Sequence, residues 1–221
     1  MAAVGILGGT FNPPHIGHLV CAQEARFQLG LDRVVLMPVH RPPHKDGSDD
    51  AGPQERVAMC RLAAAASAAA AGGAPWLEVS TLEVDRGGAS YTVDTLRALT
   101  AQAPQDDLTF IVGGDMAGSF ASWREPRAAL DLATLAVAER EGAGHRDLAA
   151  RLEGLAGVDG KPHERPRVRV FAMPRLDVSS TDIRIRVAAG APICHLVPDA
   201  VADHIADRGL YGAGAPGEDR R

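Results

Sequence analysis

The chain has 221 residues, of which 46% are hydrophobic and 23% charged, and a formal net charge of −5. That length suits one compact unit with a real core, and the composition excludes a disordered or membrane-embedded chain. The acidic balance argues against broad nucleic-acid binding, so an anionic ligand would have to meet a local positive site.

The first apolar run, AVGIL at residues 3–7, reads as a strand. No basic segment precedes it, so neither a secretory nor a transit signal is expected, and a cytoplasmic location follows. The pattern then predicts a helix over 17–29, a strand VVLMP at 34–38, a Pro-, Gly- and charge-rich loop over 40–53, and a helix over 53–71. That helix contains the longest apolar run, alanine-rich and broken by Ser67, too short and too weakly hydrophobic to cross a bilayer. A strand LEVSTLEV is predicted at 77–84, a helix over 92–101, and strands LTFIV at 108–112 and TLAVAE at 134–139. A helix over 145–155, a second loop over 157–166 and a strand RVRVFAMP at 167–174 follow. The segment beyond Tyr211 reads as frayed, which leaves one domain over 1–211 and a flexible tail over 212–221.

Apolar β-branched runs alternating with helices predict an α/β fold: a Rossmann-like, doubly wound, largely parallel sheet with helices on both faces. Ligands in such folds lie beyond the carboxyl ends of the strands, so functional residues are expected just after the apolar runs. Cys21, Cys60 and Cys194 have no C-x-x-C spacing and read as reduced thiols, not as a metal or dithiol set.

Residues 8–19, GGTFNPPHIGHL, hold three glycines, two of them adjacent, two prolines and two histidines directly after the first strand. Gly8 and Gly9 permit a sharp turn and a close backbone approach by phosphates, although a plain strand-to-helix turn would use the same pair. Pro13 and Pro14 delay the helix to about His15. His15 and His18 are three residues apart, about 60° around an ideal helix, so a single turn presents both imidazoles to one ligand. With the positive end of the helix dipole they make a site suited to oligophosphate oxygens. Neither G-x-x-x-x-G-K-[ST] nor G-x-G-x-x-G is present. A His-His metal pair fits the spacing but lacks a nearby carboxylate or third histidine, and two structural histidines at a helix start stay open as well.

G-G-T-F-N-P-P-H-x-G-H resembles the signature of the HxGH nucleotidyltransferase superfamily, and VSSTDIR at 178–184 resembles its S-S-T-x-I-R element. Within that superfamily the chain is similar to the bacterial nicotinate-nucleotide adenylyltransferases from Gly5 to about Tyr211, on PPHK (42–45), DRGGASYTVDTL (85–96) and GGDMAGSFASW (113–123). Val178 stands where isoleucine is common and Gly114 where alanine is common, neither touching a polar group. The segment 140–166 supports no alignment.

The resemblance implies transfer of AMP from ATP to nicotinate mononucleotide, with Mg2+ required and held mainly by the ATP phosphates rather than by protein ligands. It assigns His15, His18 and Arg184 to catalysis. Gly8, Gly9, Thr10, Phe11, Lys45, Ser180 and Thr181 would bind ATP, with Arg41 and His44 as weaker candidates beside Lys45. Tyr91, Thr92, Asp115 and Trp123 would bind the acceptor mononucleotide, Trp123 by stacking. Plainer roles compete: a surface lysine for Lys45, a helix cap for Asp115 and for SSTDIR, a core tryptophan for Trp123. The expected partners are ATP and nicotinate mononucleotide, with no nucleic acid and no membrane; a homo-oligomer is left open. Rival readings are a nicotinamide mononucleotide or phosphopantetheine acceptor, a non-catalytic nucleotide sensor, and an aminoacyl-tRNA synthetase, which should carry a K-M-S-K-S-like loop.

Overall fold

In the computed structural model, which describes residues 1–41, 50–140, 146–154 and 167–212, the apolar runs become β1 (Ala3–Gly9), β2 (Arg33–Pro38), β3 (Leu77–Val79), β4 (Asp107–Gly113), β5 (Thr134–Arg140) and β6 (Val168–Met173). They form one sheet in the order β3-β2-β1-β4-β5-β6, and every neighbouring pair is parallel. This is the doubly wound order, in which the chain runs outward from β1 on one side and from β4 on the other.

Alternate residues of each strand enter opposite cores, as a pleat requires. Val4 and Ile6 pack with Val93 and Leu96 of α4 (Thr92–Gln102) and Leu130 of α6 (Pro126–Leu132). Leu7, Val34 and Leu36 pack instead with Ala22 and Ala25 of α1 (Ile16–Leu29) and Cys60 and Ala64 of α2 (Pro53–Ala70). Each fully buried leucine, isoleucine or phenylalanine contributes about 1.5–3 kcal/mol, so the two faces together hold the strand ends in fixed register. A third cluster joins Met59 and Ala63 of α2 to Ile183 and Val187 of α8 (Ser180–Ala188) and to Val201 and Ile205 of α9 (Asp199–Asp207). That packing carries the SSTDIR helix back to the carboxyl edge of the sheet. Among the described residues no helix is long and apolar enough to cross a membrane.

One predicted element is wrong. The strand expected at 77–84 stops at Val79, and α3 (Leu82–Arg86) follows. Ser80 Oγ accepts from the Leu82 N–H at 3.2 Å and the Thr81 hydroxyl donates to Asp85 at 2.6 Å, so these two small polar residues close a turn. The repeated L-E-V had imitated period-two alternation across that turn. The remaining helices are α5 (Gly114–Gly118) and α7 (Arg146–Glu153). Residues 42–49 of the first expected loop and the whole of the second, 157–166, lie outside the described residues, as do 213–221 of the expected tail.

Candidate functional site

The strand order reverses between β1 and β4, and the crevice at such a reversal opens at the strands' carboxyl ends. The loop after β1 fills that position. A Cβ on Gly9 would sit 2.9 Å from the Phe11 ring, so glycine is needed for the ring to fold beneath the strand end. Phe11 itself is 1% exposed and meets the His18 ring edge-on at 4.9 Å. Its side chain supports His18.

His15 is the N-cap of α1, just outside the helix, and His18 lies in the first turn. The two rings stack at 3.7 Å with an interplanar angle of 30°. Proximity therefore comes from the cap geometry, not from two positions on one helical turn. The His15 backbone N–H donates to His18 Nδ1 at 3.2 Å. An Nδ1 that accepts this bond is unprotonated, so the neutral ring carries its proton on Nε2. Gly17 completes the arrangement: a Cβ there would lie 3.0 Å from His15 Nδ1 and 3.2 Å from Val178.

The second motif docks directly on the first. Ser180 Oγ donates to the Pro13 carbonyl at 2.8 Å and Arg184 Nη1 donates to the Asn12 carbonyl at 3.0 Å, across about 170 residues of chain. Ser179, not Ser180, caps α8: its Oγ accepts from the Asp182 N–H at 3.1 Å and donates to the Asp182 carboxylate at 2.6 Å. Ser180 and the exposed Thr181 form the first turn that follows, so the amino ends of α8 and α1 meet at the same loop.

Sequence reasoning missed the roles of Asn12, Tyr211 and Arg56 in holding this loop. Asn12 is buried, and its Oδ1 accepts from the Ala51 N–H at 3.2 Å and from the Tyr211 hydroxyl at 2.7 Å. Arg56, with no exposed surface, donates from Nε to Asp50 at 2.8 Å, from Nη1 to the carbonyls of Thr10 and Val39 at 3.0 and 2.7 Å, and from Nη2 to the His40 carbonyl at 2.9 Å. The segment after β2 is in turn tied to the one before α4: the His40 N–H donates to Ser90 Oγ at 3.2 Å, and Arg41 bridges to Ala89. Below it, burial raises the pKa of Glu83, while hydroxyl bonds from Thr95 and Ser90 and the Arg86 charge pull it back.

On that side Tyr91 caps α4 and is exposed, and Thr92 is the first residue of the helix. The Arg124 guanidinium lies 4.9 Å over the Tyr91 ring and 3.2 Å from Asp94, and Arg97 pairs with Glu125 at 2.6 Å. These contacts bring the Tyr91–Thr92 pair beside the Trp123 segment. Trp123 is half-buried, tilted against Phe120 at 5.1 Å and edge-on to Phe110 at 6.2 Å, with its indole N–H donating to Ser119 Oγ at 3.1 Å. Core anchoring and partial exposure coexist in this one side chain. Asp115 is exposed in the first turn of α5, whose cap is Gly113, so it is not the N-cap that the plainer reading supposed. Lys45 and His44 lie outside the described residues.

Comparison with known proteins follows this geometry. The model of the Cytidylyltransferase-like family matches residues 6–186. The chain is 44% identical over 210 residues to a protein of Roseiflexus sp. (strain RS-1) named probable nicotinate-nucleotide adenylyltransferase, covering 95% of this chain and 98% of that one. It is 39% identical over 208 residues to a protein of the same name from Desulfitobacterium hafniense (strain Y51), covering 94% and 95%. Among solved structures it is similar in fold to the Plasmodium falciparum nicotinic acid mononucleotide adenylyltransferase complexed with NaAD, with a TM-score of 0.73 at 15% identity over 97% of this chain and 99% of that one.

Proposed function

The chain belongs to the nicotinate-nucleotide adenylyltransferase family, and from that premise we propose that it transfers AMP from ATP to nicotinate mononucleotide, releasing pyrophosphate. A phosphate oxygen of the acceptor attacks the α-phosphorus of ATP in line, and the bond from that phosphorus to the β-phosphate oxygen breaks. Such a transfer needs no nucleophilic side chain; placement and charge neutralisation supply the acceleration.

In this reading the triphosphate lies over the loop 8–15, between the amino ends of α1 and α8. His18 donates from Nε2, His15 braces it by stacking, and the backbone at Gly8, Gly9 and Thr10 and the first turn at Ser180 and Thr181 complete the cradle. Arg184 spends one N–H on Asn12 and offers the others of its fork to the leaving pyrophosphate. Nicotinate mononucleotide lies along Tyr91 and Thr92 with its ring against Trp123. Among the described residues no three His, Cys, Asp or Glu side chains converge as a metal cage. The donors in the cradle are N–H and O–H groups, so Mg2+ is taken to arrive on the triphosphate oxygens, where it neutralises charge. A cytoplasmic enzyme of pyridine nucleotide biosynthesis is the setting this chemistry fits.

The observation that carries the reading is the pair of bonds from Ser180 and Arg184 to the carbonyls of Pro13 and Asn12, which joins the two motifs at the carboxyl end of β1. The test is pyrophosphate release from ATP and Mg2+ with nicotinate mononucleotide, nicotinamide mononucleotide or phosphopantetheine as acceptor. Release with the nicotinate acceptor well above the others is expected. A preference for another acceptor would reassign the substrate, and ATP binding without release under any acceptor would make the protein a nucleotide sensor.

A further inference from the structure

We infer that Arg56 is the positioning residue that sets the donor half of the site against the acceptor half; the inference rests on the adenylyl-transfer reading. The observation is topological as well as local. The Arg56 guanidinium has no exposed surface and spreads its donors over three carbonyls from two different loops. Thr10 belongs to the loop after β1 that leads to His15 and, in the first turn of α1, His18. Val39 and His40 belong to the segment after β2, and His40 is bonded through Ser90 to the turn that ends in Tyr91 and Thr92.

A guanidinium suits this task for a geometric reason. Its N–H groups point in fixed coplanar directions, so satisfying four of the five at 2.7–3.0 Å fixes the mutual positions of the groups that accept. Lysine presents donors from one rotating point and cannot hold three carbonyls and a carboxylate in those directions. Burying the charge is costly unless it is paired, and Asp50 at 2.8 Å supplies the pair while the carbonyls accept three further N–H groups. A helix position that served only packing would carry an apolar side chain here, as Met59, Cys60 and Ala63 do on the same stripe.

Arg56 touches no reacting atom in this arrangement. It acts on the alignment of two ligands, so its loss should appear in turnover more than in the binding of either ligand alone. The experiment compares wild type, Arg56→Lys and Asp50→Asn by thermal melting, by titration of ATP and of nicotinate mononucleotide separately, and by steady-state kinetics. Arg56→Lys is expected to bind each ligand within about threefold of wild type while kcat falls about 10–100-fold, the scale of a displacement near 1 Å. A folded Arg56→Lys with lowered Tm and wild-type kcat would reduce Arg56 to a structural role and overturn the inference. So would a selective loss of one ligand's binding, which would make it a contact residue. Should the lysine variant not fold, Asp50→Asn replaces it, with the same split expected at smaller amplitude and an unchanged kcat overturning the proposal. Wild type assayed in parallel keeps the two readings separate: a wild type without pyrophosphate release defeats the functional reading, whereas an active wild type with an equally active variant defeats only the role of Arg56.

Discussion

The hydroxyl of Tyr211 donates to the side-chain oxygen of Asn12 at 2.7 Å, although 199 residues separate them. It fastens the last described turn of the chain to the loop that holds the two histidines. Burial pushes the Tyr211 pKa up, so the group remains a donor throughout the working pH range. Asn12 also presents its backbone carbonyl to Arg184, so the latch and the second motif meet on one residue.

Removing only that hydroxyl is therefore informative. Tyr211→Phe leaves the ring and its backbone in place and deletes a buried bond worth about 1 kcal/mol, which in a chain of this size lowers Tm by about 2–4 °C. Turnover should fall with it, because Asn12 becomes free to shift under Arg184. Differential scanning calorimetry that finds no change in Tm would show the latch to be energetically idle.

His18 is the donor whose orientation the fold most plainly fixes, by the bond from the His15 N–H and the edge contact with Phe11. His18→Ala is expected to lower kcat about 10²–10³-fold, the usual loss for one preorganised donor at a site of developing charge. Circular dichroism should match wild type, since His18 is only half-buried. A near-normal rate in the folded variant would remove the imidazole from the mechanism.

Trp123 is expected to discriminate between ligands. Losing a stacked aromatic costs about 1–3 kcal/mol, so Trp123→Ala should raise KM for the acceptor about 10–100-fold and leave KM for ATP within about threefold. The variant also exposes Phe110 and Phe120, and Trp123→Phe, which refills that contact, should recover Tm before it recovers acceptor affinity. Parallel losses for both ligands would contradict stacking on the acceptor.

The framework and the two motifs that meet beyond β1 were legible because each rests on local pattern. Five of the six apolar runs became full strands, and the helix starts at Ile16 and Ser180 follow from short-range punctuation by proline and serine. What was not legible is held by contacts distant in sequence. Arg56 looked like one more charge in PQERVAMCR, yet Met59, Cys60 and Ala63 fall at i+3, i+4 and i+7 from it, and a charge on an apolar stripe is a signal in itself. Asn12 stood inside the quoted motif, but its partners Ala51 and Tyr211 lie far along the chain, and no spacing rule reaches them. The failure at 77–84 has the opposite cause, a local pattern compatible with both a strand and a strand–turn–helix until Ser80 and Thr81 close the turn.

Glu55, the neighbour of Arg56 on α2, clamps α9 to that helix: it accepts from Arg208 Nη2 at 2.6 Å and lies 2.7 Å from His204 Nε2. The Arg208 hydrogen bond first, and the His204 bond after it, hold its carboxyl below the ordinary value of 4.5, with desolvation opposing them. An acid with a lowered folded pKa binds its proton less readily in the native state, so the clamp's contribution is complete above the unfolded value and is lost as pH falls through the folded one. Glu83 has the opposite sign, because burial raises it: its ionisation erodes stability as pH rises from 4.5 toward the raised value. Glu55→Gln should therefore lower Tm at neutral pH by about 2 °C, a modest shift because Arg208 is largely exposed and surface pairs are weak. The gap to wild type should then close as the solution is acidified below the lowered Glu55 value, while Glu83, present in both proteins, bends both curves alike. Melting curves that keep a constant separation however far the solution is acidified would assign the clamp to packing of α9 and not to the charge on Glu55.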